Sequence, residues 1–289
     1  MTRTLLSFLC LTVSFSAAAE LRHYRAGLEN SQWQFSQSPR IECRLEHDIP
    51  AYGKAVFVSR AGKDLNMAFT LDMWVKPDSA TKAVLMSNAP QWRPGIPARE
   101  ITSLTYQKYF NGEVPKKAAW SMLTELERGM EPTFYYGDWY EQRNQVAVGL
   151  SAVNFGNKYS DFKACLSSLL PYSFEDIAFT VLSYHSGGSE LTEFSKQQLA
   201  RVQEYLTYDP EVELVLVDGY TDSHGGRSVN KRVSERRAGS VKEFLMAKGI
   251  PEERILTTGH GETRPVGPNG TREERALNRR VVVRINKPM

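Results

Sequence analysis

EVELVLVDGYTDSHGGRSVNKRVSERRAGSVKEFLMAKGI, residues 211–250, reads as a strand, a polar loop and a long helix in immediate succession. EVELVLVDGY (211–220) is apolar on both pleat faces, the pattern of a strand in the middle of a sheet. VNKRVSERRAGSVKEFLMAKGI (229–250) is amphipathic, and Gly249 ends it. At about 100° per residue, Val233, Ala238, Val241, Phe244 and Leu245 share one stripe, while Lys231, Arg232, Glu235, Arg236, Lys242 and Glu243 point elsewhere. Arg237 breaks this division, because its angle falls between Val233 and Val241, inside the apolar stripe. Asn230 lies two turns earlier on the same face. A guanidinium placed there must snorkel outward or meet a fixed acceptor, since an unpaired buried charge is strongly unfavourable. Asp222, just past the strand end in DGYTD (218–222), is the strongest partner, at a place where such sheets present ligand-binding groups. The two residues can pair as a structural salt bridge, or separately hold the ammonium and carboxylate of a zwitterion; the residues alone leave both open.

The same rhythm extends to either side. FEDIAFTVLSY (174–184) reads as a strand, SGGSE (186–190) as a loop, and LTEFSKQQLARVQEYL (191–206) as a helix with Phe194, Leu199, Val202 and Leu206 near helical spacing. ILTTGHG (255–261) and RRVVVRI (279–285) read as two further strands. The order β-α-β-α-β-β implies a mixed sheet with helices packed on it.

Residues 20–172 read differently. VFVSR (56–60), LNMAFTLDMWV (65–75), KAVLMS (82–87), ITSLTYQKYF (101–110) and QVAVGLSAV (145–153) are rich in β-branched and aromatic residues, with Gly, Pro, Asn and Asp between them. One helix is expected at Lys117–Arg128, with Trp120, Leu123 and Leu126 on its inner side and Gly129 as its stop, and a shorter one at Asp161–Leu169. Strands at this spacing predict a mainly antiparallel β domain, barrel-like or a sandwich. The chain as a whole is therefore expected to be α+β. The aromatics Trp33, Trp74, Trp92, Trp120, Trp139 and Tyr135-Tyr136 fit a carbohydrate platform or core packing, and packing is the simpler reading.

The chain begins with Arg3, an apolar run from Leu5 to Phe15 and Ala17-Ala18-Ala19, the pattern of a cleaved secretory signal over residues 1–19. That run is too short to span a bilayer. Cys10 follows Phe8-Leu9 and lacks the small residues of a lipid-attachment site. The organisation expected is thus a signal at 1–19, an N-terminal domain at 20–172 and a C-terminal domain at 173–289 of the 289 residues. Net charge is a mild +3 with the two signs interspersed, which gives nucleic-acid binding no electrostatic support. Cys43 and Cys165 remain after processing, and an even pair in an oxidising compartment is expected to bond. Neither has metal-ligand spacing nearby. His185, His224 and His260 match no familiar ligand or acid–base pattern, so neither a catalytic site nor a cofactor is expected.

DGYTD, Asn230, VSERRA (233–238), KGI (248–250), GHGETRP (259–265) and NRRV (278–281) occur in that order. This set resembles the OmpA C-terminal domain family, which includes peptidoglycan-associated lipoprotein. The resemblance implies a wall-binding module in which Asp222 takes the ammonium of diaminopimelate in a peptidoglycan peptide stem and Arg237 takes its carboxylate. Asn230 and Arg279 match positions lining the same pocket; Val233 stands where Leu is usual, a conservative packing change. In the other half, WRPG (92–95), LTELERG (123–129), PTFYYGDW (132–139), NKYSDFKACLSSLLPYSFEDIAFT (157–180) and the spacing of Cys43 and Cys165 resemble the MotY family of periplasmic flagellar motor proteins. That resemblance implies docking on the basal body through a MotX-like partner and ring proteins, a T ring gripping the wall, and support of stator assembly. The alternative is a general envelope tether between the wall and an outer-membrane component.

Overall fold

The computed structural model describes residues 20–141, 143–185 and 190–287. The expected signal at 1–19 lies outside the described residues, as does most of the loop expected at 186–190. In the N-terminal part the strands are β1 (Leu21–Arg25), β2 (Trp33–Ser38), β3 (Glu42–Ile49), β4 (Gly53–Arg60), β5 (Ala68–Met73), β6 (Thr81–Asn88), β7 (Arg99–Tyr106), β8 (Gly112–Glu113), β9 (Glu131–Gly137) and β10 (Gln145–Gly149). Two helices join them, α1 (Lys116–Glu127) and α2 (Phe155–Ser168).

These strands form two separate five-stranded sheets, ordered β2-β3-β4-β5-β8 and β1-β10-β9-β6-β7. The expected barrel does not close, and the sandwich alternative describes the result better. Closure requires the end strands to pair, but one sheet ends on the two-residue β8 and the other on β1, which joins β10 in parallel. Their facing side chains make one core, with Leu45, Phe57 and Phe69 from the first sheet, and Leu85, Phe134 and Val148 from the second. The helices fill the rest: α1 contributes Met122 and Leu123, and α2 contributes Phe155 and Phe162. The α2 helix starts earlier than expected, because Phe155, Tyr159, Phe162 and Leu166 form a buried stripe that begins directly after the N-cap Asn154. Cys43 of β3 and Cys165 of α2 are disulfide-bonded, with their Cα atoms 5.9 Å apart.

The aromatics divide. Trp33 is buried, with its indole N–H donating to the Ser151 carbonyl, and Trp120 and Trp139 pack against the core. Trp74 and Trp92 do not pack, being 71% and 50% exposed.

Beyond Ser168 a second core begins. Leu170 and Tyr172 enter it together with Ile41 and Ala61 from the N-terminal part. Across the same junction Arg40 pairs with Glu204 at 2.6 Å, and Lys63 with Asp176 at 2.9 Å. The elements that follow are α3 (Phe174–Ile177), β11 (Phe179–Ser183), α4 (Glu193–Tyr208), β12 (Leu214–Gly219), α5 (Arg227–Ala247), β13 (Ile255–Gly259), α6 (Arg272–Asn278) and β14 (Arg280–Asn286). The strand expected over 174–184 is shortened, since Ser173 and Asp176 form a capping box that turns residues 174–177 into α3. Phe194, expected on the inner face of α4, is 67% exposed; Ser195 is buried instead, and its hydroxyl accepts the Ser183 amide.

The four-stranded sheet runs β11-β14-β12-β13, with β12 parallel to β13 and antiparallel to β14. It is the mixed sheet expected, with β12 in its interior. The α5 helix lies close against the sheet because Gly219 and Gly259 leave room for it. A Cβ on Gly219 would overlap the Ser234 carbonyl, and one on Gly259 would sit 2.6 Å from the Glu235 amide nitrogen.

Candidate functional site

Where β12 ends, the chain turns away from the sheet and the first turns of α5 rise beside it. Gly219 pairs with Val281 in the β12–β14 register, so continuing both strands by two residues brings Thr221 and Arg279 level. This delivers Asp222 and Arg279 to the same spot. The Asp222 carboxylate accepts the His224 amide through Oδ1 at 3.0 Å, which shapes the turn, and Arg279 Nη1 through Oδ2 at 2.7 Å. Both side chains are 11% exposed.

The arginine on the helix stripe behaves as its position demands. Arg237 is buried on α5 alongside Asn230, Ser234, Ala238, Val241 and Leu245. Its guanidinium carbon lies 4.4 Å from the centroid of the Tyr184 ring, at the end of β11. Burial holds the guanidinium below its usual range; Tyr184 and Asp222 favour its charge and the neighbouring Arg279 opposes it. Of the two arrangements left open for Asp222 and Arg237, the direct salt bridge is not the one seen. Asp222 pairs with Arg279, and Arg237 is seated on an aromatic face while still within the field of Asp222. The reason is topological: Arg279 enters along the strand next to β12, whereas Arg237 approaches from the helix layer.

Asn230 is also buried, and its amide donates to Glu262 Oε2 at 2.6 Å; Glu262 in turn faces Arg227 at 3.5 Å. Asp222, Asn230, Arg237 and Arg279 all line one open cavity of about 420 Å³, joined by Thr221, His224 and the guanidinium groups of Arg272 and Arg275. Sequence reasoning missed Tyr184, which seats Arg237, and the role of Asn278. Asn278 is fully buried, and its side-chain oxygen accepts the Val266 and Gly267 amides at 2.8 and 3.1 Å. Its amide donates to Asn269 Oδ1, which also takes the Ser223 amide, so Asn278 ties two walls of the cavity together. Asn278 opens the NRR segment that the resemblance places at the pocket, where Arg279 is the residue singled out.

The histidines are spread apart in role. His260 Nε2 meets Asp218 at 2.9 Å and its ring stacks on Tyr220. Burial works against the Asp218 charge, and the hydrogen bonds from His260 and Arg284 outweigh it, holding that carboxyl below the usual range. Among the described residues no group of three or more His, Cys, Asp or Glu is placed to hold a metal ion. A buried carboxylate braced by one arginine and a second arginine on an aromatic seat thus place an acceptor and a charged donor on the same open cavity.

Comparison with known proteins agrees with both halves. The MotY N-terminal domain family matches residues 24–171, and the OmpA family matches residues 183–279. The sodium-type flagellar protein MotY of Vibrio parahaemolyticus is 43% identical over 280 residues, 96% of this chain and 95% of that protein. Outer membrane protein A of Bordetella avium is 47% identical over 75 residues, 26% of this chain and 39% of that protein. Among solved structures, the peptidoglycan-associated lipoprotein of Burkholderia pseudomallei aligns with 37% of this chain and 89% of its own, at 21% identity and a TM-score of 0.35. With a near full-length relative and a matching N-terminal domain, the chain belongs to the MotY family.

Proposed function

We propose that this chain is a non-enzymatic periplasmic component of the flagellar motor that grips peptidoglycan through its C-terminal part. The supporting observation is the single cavity shared by Asp222, Asn230, Arg237 and Arg279. In this reading the ligand is the diaminopimelate end of a peptide stem. Its ammonium meets Asp222, whose carboxylate has lone pairs left beyond the two hydrogen bonds it already accepts. Its carboxylate meets Arg237, which lines the cavity with its guanidinium over the Tyr184 ring. Arg279 braces Asp222, and Asn230 closes the wall of the site. The N-terminal part docks on basal-body rings and a MotX-like partner, so that the protein joins the T ring to the wall and supports the stators. Electron microscopy of basal bodies from cells with and without the protein tests this reading, together with swimming in soft agar. The expected result is loss of the ring and of swimming. Normal swimming with a leaky envelope favours an envelope tether instead and overturns the motor assignment.

A further inference from the structure

Turns from both sheets of the N-terminal part meet at one end of the sandwich, around a cleft of about 160 Å³. Its aromatic lining is Tyr24 of β1, Tyr52 between β3 and β4, Trp74 after β5, Tyr136 of β9, and Trp139 and Tyr140 after β9. Tyr136 stacks on Trp139 at 4.8 Å, and the Tyr52 and Tyr136 hydroxyls satisfy each other at 2.8 Å. Trp74 and Tyr140 are 71% and 67% exposed, yet both stand on hydrogen-bonded backbone. The Trp74 amide donates to the Tyr52 carbonyl at 3.0 Å, and the Tyr140 amide to Asp138 Oδ1 at 2.9 Å. Two large rings held in water on fixed backbone are preorganised for a contact outside the core.

Charge and hydrogen bonding narrow the occupant. Arg22 and Asp138, the charged groups lining the cleft, neutralise each other at 2.9 Å, and Arg22 also takes Glu141 at 2.8 Å. The other Asp138 oxygen is spent on the Tyr140 and Glu141 amides. The matching occupant is therefore uncharged. Donors are in surplus: the indole N–H groups of Trp74 and Trp139 and the hydroxyls of Tyr24 and Tyr140 have no partner among the described residues. A saccharide brings its own hydroxyl protons, which would find the side-chain carboxylate already occupied. A proline-rich segment brings flat apolar rings and backbone carbonyls, with no N–H at its prolines. The cleft is also smaller than the roughly 300–1,000 Å³ of a site that encloses a small molecule, and suits side chains of a longer segment laid across it.

We propose that this cleft docks a proline-rich segment of a partner protein in the polyproline II conformation. Its prolines pack on the Trp74 and Tyr140 rings, and its carbonyls take the unspent indole and phenol donors. Such a segment is extended before it binds, so docking costs it little entropy. The inference goes beyond the motor reading and holds or fails independently of the wall-binding cavity.

The test titrates the full chain, with isotope-labelled tryptophan, against a fluorescein-labelled decaproline peptide. Anisotropy is expected to rise, and Trp74→Ala and Tyr140→Ala are each expected to weaken binding about five-fold or more, as for aromatic anchors of an interface. Both rings are exposed, so neither substitution opens the core. In NMR spectra the indole N–H signals of Trp74 and Trp139, assigned from Trp74→Phe and Trp139→Phe, are expected to move downfield as they gain carbonyl acceptors. No rise in anisotropy overturns the proposal, as does undiminished affinity in both alanine variants, or indole signals that stay in place. If N-acetylated chitotetraose moves those signals and decaproline does not, the cleft is a saccharide site and the proposal falls. Each of these outcomes leaves the peptidoglycan reading standing, because none of the substituted residues lines that cavity.

Discussion

Arg237 and Arg279 line the same cavity yet answer to different physics. Arg279 is one half of an ion pair at the cavity wall, so Arg279→Ala leaves the Asp222 carboxylate without its arginine; losing one such partner destabilises by about 1–3 kcal/mol. A denaturant melt of that variant should show a loss of this size, together with weakened ligand binding. Arg237 lies over an aromatic face at the cavity wall, so Arg237→Lys should weaken retention on cell walls. A point ammonium lacks the planar fork that stacks and grips two oxygens at once. Equal wall retention of Arg237→Lys and the natural chain would contradict this. In the N-terminal core, the buried His47 stacks on Trp33, with Nδ1 2.9 Å from the Gln32 carbonyl and Nε2 facing the Ser151 amide at 3.4 Å. One nitrogen donates and the other accepts, so the neutral ring fits, and burial lowers its tendency to protonate. The unfolded chain then binds a proton that the folded one resists. Stability is fully present above pH of about 6.5 and declines as pH falls below it. Thermal midpoints measured from pH 7.5 down to 5 should fall, and a flat profile would count against this role for His47.

Among the elements, the disulfide joins two that are far apart in sequence, β3 and α2, closing a span of 122 residues. By the chain-entropy model such a closure contributes about 4–5 kcal/mol. Cys43→Ser should therefore lower the thermal midpoint markedly and abolish the mobility shift between reduced and non-reduced gels. An unchanged midpoint would contradict a structural role. The strands that the sequence concealed have recognisable causes. In β3 the residues alternate Glu42, Arg44, Glu46 and Asp48 outward with Cys43, Leu45, His47 and Ile49 inward, so half its positions are charged and the β-branched signal is thin. In β9 the second residue is Pro132, and buried Glu131 is paired with Arg25 of β1, which lies one strand away beyond β10; both features argue against a strand when read locally. By contrast, β12 and α5 were legible because each carries a complete pattern within its own residues: an unbroken apolar run, and a 3.6-residue stripe. Arg237 stood out for the same reason, as a departure from a pattern that was otherwise complete.

Over the whole molecule, what sequence patterns could not supply were relations between distant segments. The pairing of Asp222 with Arg279 spans 57 residues and depends on the antiparallel register of β12 and β14, which no local spacing encodes. The seat of Arg237 depends likewise on Tyr184 from a strand at the far edge of the sheet. Four members of the cavity were legible; the partnerships inside it were not. The junction between the two parts is similarly non-local, built from Ile41 and Ala61 entering the second core and from Glu204, which takes both Arg40 and the Tyr172 hydroxyl. In the proposed reading, this junction carries a grip on the wall at one end to whatever the other end docks on. That grip is tested by co-sedimentation of the full chain with purified diaminopimelate-type sacculi, comparing the natural protein with Arg237→Ala and Asp222→Asn after thermal melts show both variants folded. The account predicts that the natural chain pellets with the wall and that each variant binds about ten-fold more weakly, as expected for loss of one charge-assisted contact. Unchanged sedimentation of both variants would contradict it.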